Sequence, residues 1–265
     1  MNIKNSSEAG SLKRGVVLLK LLATGGARGC PLSELAEKSG MPHPSAHRIL
    51  KQLIAERLVA HNPETHRYRL GSLAFELGMA GSTMYDVRDL CEPAMAELER
   101  ATEDTVYLVL RSGFEAVCMH RCEGSFPIRT LVLEVGSRRP LGVGAGGLAI
   151  LAAIASEERD EIIARVAPAL PLFGMLTENA LRDACTQTAA SGVAVIQNRV
   201  SLGVTAVGAH FCDSMGQPMG AISVAALTQR MAPARVRNIA ERVRLAARQV
   251  ELCLRAPTAA RSARR

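Results

Sequence analysis

Leu32-Ser-Glu-Leu-Ala-Glu-Lys-Ser-Gly40-Met-Pro-His-Pro-Ser-Ala-His-Arg48-Ile-Leu-Lys-Gln-Leu53 is the stretch that decides how this chain is read. It runs on through Leu58-Val59 to His66-Arg67-Tyr68-Arg69-Leu70-Gly71. Pro31-Leu32-Ser33-Glu34 opens a short helix and Gly40 ends it; Pro42 and Pro44 suit the first turn of the next helix. Asn62-Pro63-Glu64-Thr65 is a turn between two short extended runs, Leu58–His61 and Arg67–Leu70. Helix, glycine turn, helix and basic hairpin, in that order, are how a small domain lays one helix in a DNA major groove.

On the second of these helices Ile49, Leu50 and Leu53 face a core. Pro44, His47, Arg48, Lys51 and Gln52 share the opposite face. Arginine and glutamine can make bidentate bonds to base edges, and Lys51 and Ser45 can bind phosphate. Ser45 also lies in the first turn, where backbone N–H groups attract phosphate. Arg67, Tyr68 and Arg69 form a wing that would reach the DNA backbone or minor groove.

Charge follows the same division. Residues 1–85 carry 11 Lys+Arg against 6 Asp+Glu, residues 86–253 carry 17 against 19, and the remaining segment adds four Arg. A basic front module joined to a near-neutral body fits a DNA reader fused to a part that does not touch DNA. No apolar stretch is long enough to span a bilayer, and the N-terminus lacks an apolar signal core, which predicts a cytoplasmic protein. The seven cysteines, at 30, 91, 118, 122, 185, 212 and 253, are odd in number and scattered, unlike a disulfide framework. Cys118-Met-His120-Arg-Cys122 would put 118, 120 and 122 on one face of a strand, but no fourth ligand is near in sequence. It is read as a half-buried strand, with no metal and no cofactor expected. His210 and Cys212 lack the third group that a nucleophile–base pair needs, so no catalytic residues are assigned and an enzyme is disfavoured. A sensor acting only through protein contacts is the other alternative; the basic wing and Arg48 argue against it.

Around the deciding stretch, residues 1–10 are polar and read as loose. Leu12–Leu22 is an amphipathic helix ended by Gly25-Gly26. Gly71–Tyr85 is a helical connector in which Gly78, Ala80 and Gly81 permit a bend, and Asp86–Thr102 is a further helix. Thr105–Arg111 and Glu115–Arg121 read as a hairpin, Ile128–Leu133 as another strand, and Gly203–Phe211 with Pro218–Ala226 as a second hairpin. Helices are expected over Gly146–Ala155, Glu157–Ala167, Asn179–Ser191 and Ala234–Leu254. Hairpins with helices around them argue an α+β domain.

From Ser11-Leu-Lys-Arg-Gly15 to about Leu254 the chain resembles the isocitrate-lyase-regulator (IclR) family of bacterial transcription factors. Matching stretches are Leu32-Ser-Glu-Leu-Ala, Ser39-Gly40-Met41, Ser45-Ala46-His47-Arg48-Ile49-Leu50 and Arg67-Tyr68-Arg69-Leu70-Gly71. Farther on they are Arg138-Arg139-Pro140-Leu141, Gly147-Leu-Ala-Ile-Leu-Ala152, Ser191-Gly192-Val193-Ala194, and Asp213-Ser-Met-Gly216 before Ile222-Ser-Val. The resemblance implies an N-terminal all-α-type winged helix-turn-helix domain over 11–73, with the motif itself at about 32–51. A linker helix over 74–87 and a C-terminal α+β, GAF-like effector-binding domain over 88–254 would follow, then a disordered Arg-rich tail over 255–265. It also implies a homodimer or tetramer on near-palindromic double-stranded DNA, a small-molecule effector, usually a carboxylate, and repression more than activation.

Carried over by position, the effector site would be Gly144, Ala145, Gly146 and Gly147 at a helix start, facing Val204, Ala206, Ser223 and Ala225 on strands. N–H groups at a helix start bind carboxylate, and glycines permit close approach. The chain departs from the family at three places. Leu148 stands where Lys is frequent, Asn198-Arg199 where an acidic pair is common, and Gly142 where a polar or large residue is usual. These departures predict a roomier, more apolar pocket for an aromatic or medium-chain acid, held by Ser223 and the N–H groups. Within the reading helix, Ala46 replaces a frequent Thr. Effector binding is expected to act through the linker around Gly78–Tyr85.

Overall fold

The computed structural model describes residues 5–25, 28–80, 83–174 and 176–255. The chain forms two compact units, residues 1–84 and 85–265. The Gly26 helix stop, the bend expected at Gly81 and the arginine-rich segment 256–265 lie outside the described residues.

The first unit comprises α1 (Asn5–Thr24), β1 (Cys30–Pro31), α2 (Leu32–Ser39), α3 (His43–Ala55), β2 (Val59–Asn62), β3 (Arg67–Leu70) and α4 (Ser72–Ala80). Helix α1 begins at Asn5, so the segment read as loose up to residue 10 is helical from there. Gly10 opposes a helix most strongly before Leu12, at a cost of about 1 kcal/mol. Gly40 closes α2 in the left-handed conformation, φ 66°, with its N–H directed to Ala36 and Glu37 carbonyls. Glycine adopts that geometry without a Cβ clash, which keeps the turn to α3 short. Leu18, Leu22, Leu35, Ile49, Leu50, Val59 and Tyr68 make the core. The strands form one antiparallel sheet in the order β1-β3-β2. Two-residue β1 is too short to leave a periodic signal.

Helix α5 (Thr83–Thr102), all but its first two residues in the second unit, is followed by the hairpin β4 (Thr105–Ser112) and β5 (Glu115–Cys122), then β6 (Arg138–Pro140). Helices α6 (Ala145–Ala153), α7 (Ser156–Val166) and α8 (Glu178–Ser191) follow. The described residues close with β7 (Ala194–Gln197), β8 (Val204–Cys212), β9 (Pro218–Leu227) and α9 (Pro233–Arg255). The six strands make one sheet, β6-β5-β4-β9-β8-β7, with every pair antiparallel. One face packs on α6, α7 and α8 through residues such as Val109, Leu148, Leu151, Ile163 and Leu181. The other packs on α5 and α9 through Leu98, Leu108, Val224, Val243 and Val250.

Two readings are corrected here. Ile128–Leu133 is not a strand. Side-chain anchors hold it in place of a ladder: the Tyr107 hydroxyl donates to Thr130 O (2.5 Å) and accepts from Val132 N (3.0 Å). Arg138–Pro140 takes the sheet edge instead. The second correction concerns β5. Its register shifts at Leu108/Val109, so that Leu108 faces His120 and Val109 faces Cys118, leaving Met119 unpaired. This bulge turns Cys118 to the α6 face, where it is buried, and Cys122 to the α5 face. The three residues 118, 120 and 122 therefore do not share a face.

Asp104, at the start of β4, is 5% exposed. It accepts from Arg230 Nε (3.1 Å) and from an Arg235 NH2 group (2.9 Å) on α9. Arg230 also lies over the Phe126 ring, 3.7 Å from its centroid. All seven cysteines are free, and no described helix is long and apolar enough to cross a membrane.

Candidate functional site

Helix α3 buries Ala46, Ile49 and Leu50. Pro44, Arg48, Lys51 and Gln52 are exposed, and Ser45 and His47 are half-buried. The helix contains no acidic residue, so Arg48 and Lys51 present an uncompensated positive edge along it. Ala46 is fully buried, so a hydroxyl at that place would enter the core rather than reach a ligand. The helix start is less open than the sequence implies. The amides of Ser45 and Ala46 both donate to Pro42 O, at 2.9 and 3.0 Å, and Pro44 has none. Of Ser45, only the hydroxyl is left to meet phosphate.

The wing is fixed at its tip, where Asn62 Oδ1 accepts the N–H groups of Glu64 (2.8 Å) and Thr65 (3.0 Å). Arg67 and Arg69 share one side of β3. Arg69 is exposed, whereas Arg67 is half-buried and donates from Nε to Arg28 O at 3.1 Å. Tyr68 corrects the expectation of a DNA contact. It is 6% exposed and belongs to the core, its ring centroid 4.5 Å from that of His61. The strand period of two sends the aromatic inward when the arginines face out.

In the second unit the eight residues named for the effector surround one cavity. Gly144 leads into α6 at φ 80° with no side-chain cap, and the first intrahelical bond is donated by Leu148 N to Gly144 O. The amides of Ala145, Gly146 and Gly147 thus precede that bond at the cavity wall. Gly146 is required there: a Cβ would stand 2.6 Å from Val109 Cγ2. Val204, Ala206, Ser223 and Ala225 lie on the sheet face below, Ser223 paired with Tyr107 and Gly208 and 6% exposed.

The rest of the wall comes from residues outside these eight. Val132 and Leu133 from the 123–137 loop close one side, with Val109, Val143, Ile196 and Val200 elsewhere. Arg139 also lines the cavity. An NH2 group of its guanidinium donates to Val132 O at 2.6 Å. Burial pulls its basicity down, only partly offset by Tyr107 and Cys118. No carboxylate among the described residues forms an ion pair with it. Its signal was present in Arg138-Arg139-Pro140, but strand alternation alone does not say which arginine turns inward.

The three departures from the family pattern do not line the cavity. Gly142 is filled in by Leu181 and Leu151, which a Cβ would meet at 2.6 and 3.0 Å. Leu148 is buried in the α6 core. Asn198 uses its Oδ1 on Gly203 N and Thr228 Oγ1, and Arg199 is exposed. The inference of a roomier pocket from these three positions therefore falls. As for Cys212, burial and Glu251 push its thiol up to about 11, which keeps it protonated and a poor nucleophile.

A sequence model described as the bacterial transcriptional regulator IclR C-terminal domain matches residues 80–252, and one for the IclR helix-turn-helix domain matches residues 11–63. The HTH-type transcriptional regulator KipR of Bacillus subtilis (strain 168) is 29% identical over 220 residues, covering 83% of this chain and 87% of that protein. The HTH-type transcriptional repressor AllR of Escherichia coli (strain K12) is 27% identical over 252 residues, covering 93% and 90%. Among solved structures, an IclR homologue from Microbacterium hydrocarbonoxydans complexed with 4-hydroxybenzoate superposes with a TM-score of 0.71 at 22% identity. That match covers 93% of this chain and 100% of the other.

Proposed function

The chain belongs to the IclR family of bacterial transcriptional regulators and is a DNA-binding regulator, not an enzyme; from this premise we propose that it answers to an organic acid with an aromatic or medium-chain apolar body. The observation that carries this reading is Arg139. It is a cation in a mostly apolar wall, bonded to a carbonyl and lacking a carboxylate partner among the described residues. A bound carboxylate supplies that partner, in a charge-assisted and geometrically matched pair. Ser223 and the α6 amides add donors, while Val109, Val132, Leu133, Ile196 and Val204 offer apolar surface to the rest of the ligand. The Microbacterium homologue, complexed with 4-hydroxybenzoate, agrees with this ligand class.

In this reading α3 engages the major groove through Arg48, Lys51, Gln52, His47 and Pro44. The Ser45 hydroxyl and the arginines Arg67 and Arg69 hold the backbone. The active form is a homodimer, paired or not into a tetramer, on a near-palindromic operator, and it represses an operon that consumes the acid. Exposed Phe75 and Leu77 on α4 offer apolar surface for a second copy. Calorimetry with benzoates, phenylacetate, hexanoate and glyoxylate tests the ligand class. Binding of an aromatic or medium-chain acid, weakened about 10- to 100-fold in Arg139→Leu, is expected. Binding of glyoxylate alone overturns it.

A further inference from the structure

The sheet face opposite the cavity carries a second cluster. The bulge at Met119 leaves His120 and Cys122 two apart on that face of β5, and Glu92 of α5 meets them. His120 Nε2 is 2.5 Å from Glu92 Oε2 and 3.6 Å from Cys122 Sγ. All three donor atoms lie within 4.8 Å of one another. We propose that Glu92, His120 and Cys122 form a binding site for a thiophilic divalent cation, zinc(II) above all, with water as the fourth ligand.

The donor chemistry selects the metal. One imidazole, one thiolate and one carboxylate form a borderline-soft set that suits zinc and disfavours magnesium or calcium, which take oxygen alone. The geometry is close to what zinc needs. Ligands at about 2.0–2.3 Å in a tetrahedron stand roughly 3.3–3.8 Å apart. The His120–Cys122 separation already falls in that range, and both residues ride on one strand. Glu92 must withdraw from His120 by under about 1 Å, and its side chain, 50% exposed, has solvent to move into. The His120 side chain is 16% exposed, so an ion would be shielded yet reachable from solvent. Burial, with Glu92 and Glu99 nearby, pushes the Cys122 thiol up to about 11. Binding therefore displaces one thiol proton to solvent as the sulfur–metal bond forms. A bound ion would cross-link α5 to β5.

The test uses the full chain, stripped with a chelator and titrated with cobalt(II), a spectroscopic stand-in for zinc. One equivalent should bring up a thiolate-to-cobalt charge-transfer band and tetrahedral visible bands, both abolished by added zinc(II). Cys122→Ser should remove the charge-transfer band, and Cys118→Ser, on the other face, should leave it. Glu92→Gln, a surface change that spares the fold, should weaken cobalt binding by more than the roughly tenfold that loss of an outer hydrogen-bond partner costs. Absence of the band in the unmodified protein overturns the proposal. So does its persistence in Cys122→Ser, or unchanged affinity in Glu92→Gln.

Discussion

Arg48 and Tyr68 both lie in the winged motif, and both were read as DNA contacts from their residue types. They now separate by mechanism. Arg48 is exposed on α3, so Arg48→Ala should leave the melting temperature within about 2 °C, as surface changes do. It should cost about 1–3 kcal/mol of operator binding, measured by fluorescence anisotropy at fixed salt. Tyr68→Ala should do the reverse in kind. It opens a hole in the core of the first unit and should destabilise it by about 3 kcal/mol, seen as a lower thermal midpoint. DNA affinity unaffected by Arg48→Ala would remove α3 as the reading helix. Sequence alone names the chemistry of such residues, but a tyrosine between two arginines reads as part of a basic stripe until the strand's period is tied to a core.

At the level of elements, the buried Asp104 bridge is the connection with most at stake. It joins the first residues of β4 to the turn after β9 and to α9 through two arginines. Replacing Asp104 by Ala strands Arg230 and Arg235 in half-buried positions. A loss of about 3 kcal/mol in chemical denaturation is expected; a loss below about 1 kcal/mol would mean solvent screens the bridge. The elements themselves were legible where punctuation was strong. Gly40 and the prolines at 42 and 44 set α2 and α3, and Gly192 set the end of α8. The reading failed where partners decide. Ile128–Leu133 has a strand's composition, but side chains of Tyr107, Arg121 and Arg139 bond its backbone polar groups. The Met119 bulge inverts a face without any sequence mark, and two-residue β1 is too short for a pattern. Of the cavity, the glycine helix start and four strand positions were visible. Arg139 and the loop wall were not, because their place depends on β6 pairing with β5.

For the molecule as a whole, each unit has a core of its own, Leu18 to Tyr68 in one and the two faces of the sheet in the other. Recognition and sensing should therefore be separable. A fragment of residues 85–265 is expected to fold and to bind the acid within about threefold of the intact chain, a difference of roughly 0.7 kcal/mol. It should show no operator binding. Calorimetry on the fragment and the full chain checks this, and a fragment that fails to bind would place part of the ligand site outside the second unit. The first 85 residues, the basic part of the chain, end within one residue of the first unit. The identity of the ligand was not legible from the family departures, since Gly142, Leu148 and Asn198 all do structural work away from the cavity.

The two-faced sheet has a practical consequence. Along β4, Tyr107 and Val109 look into the cavity while Val106, Leu108 and Leu110 look toward α5 and α9. Alternate codons of one strand thus write to different properties. A biosensor library confined to the cavity-side positions of β4, β8 and β9 should change which compound switches the reporter, while the packing of the sheet on α5 and α9 is left untouched.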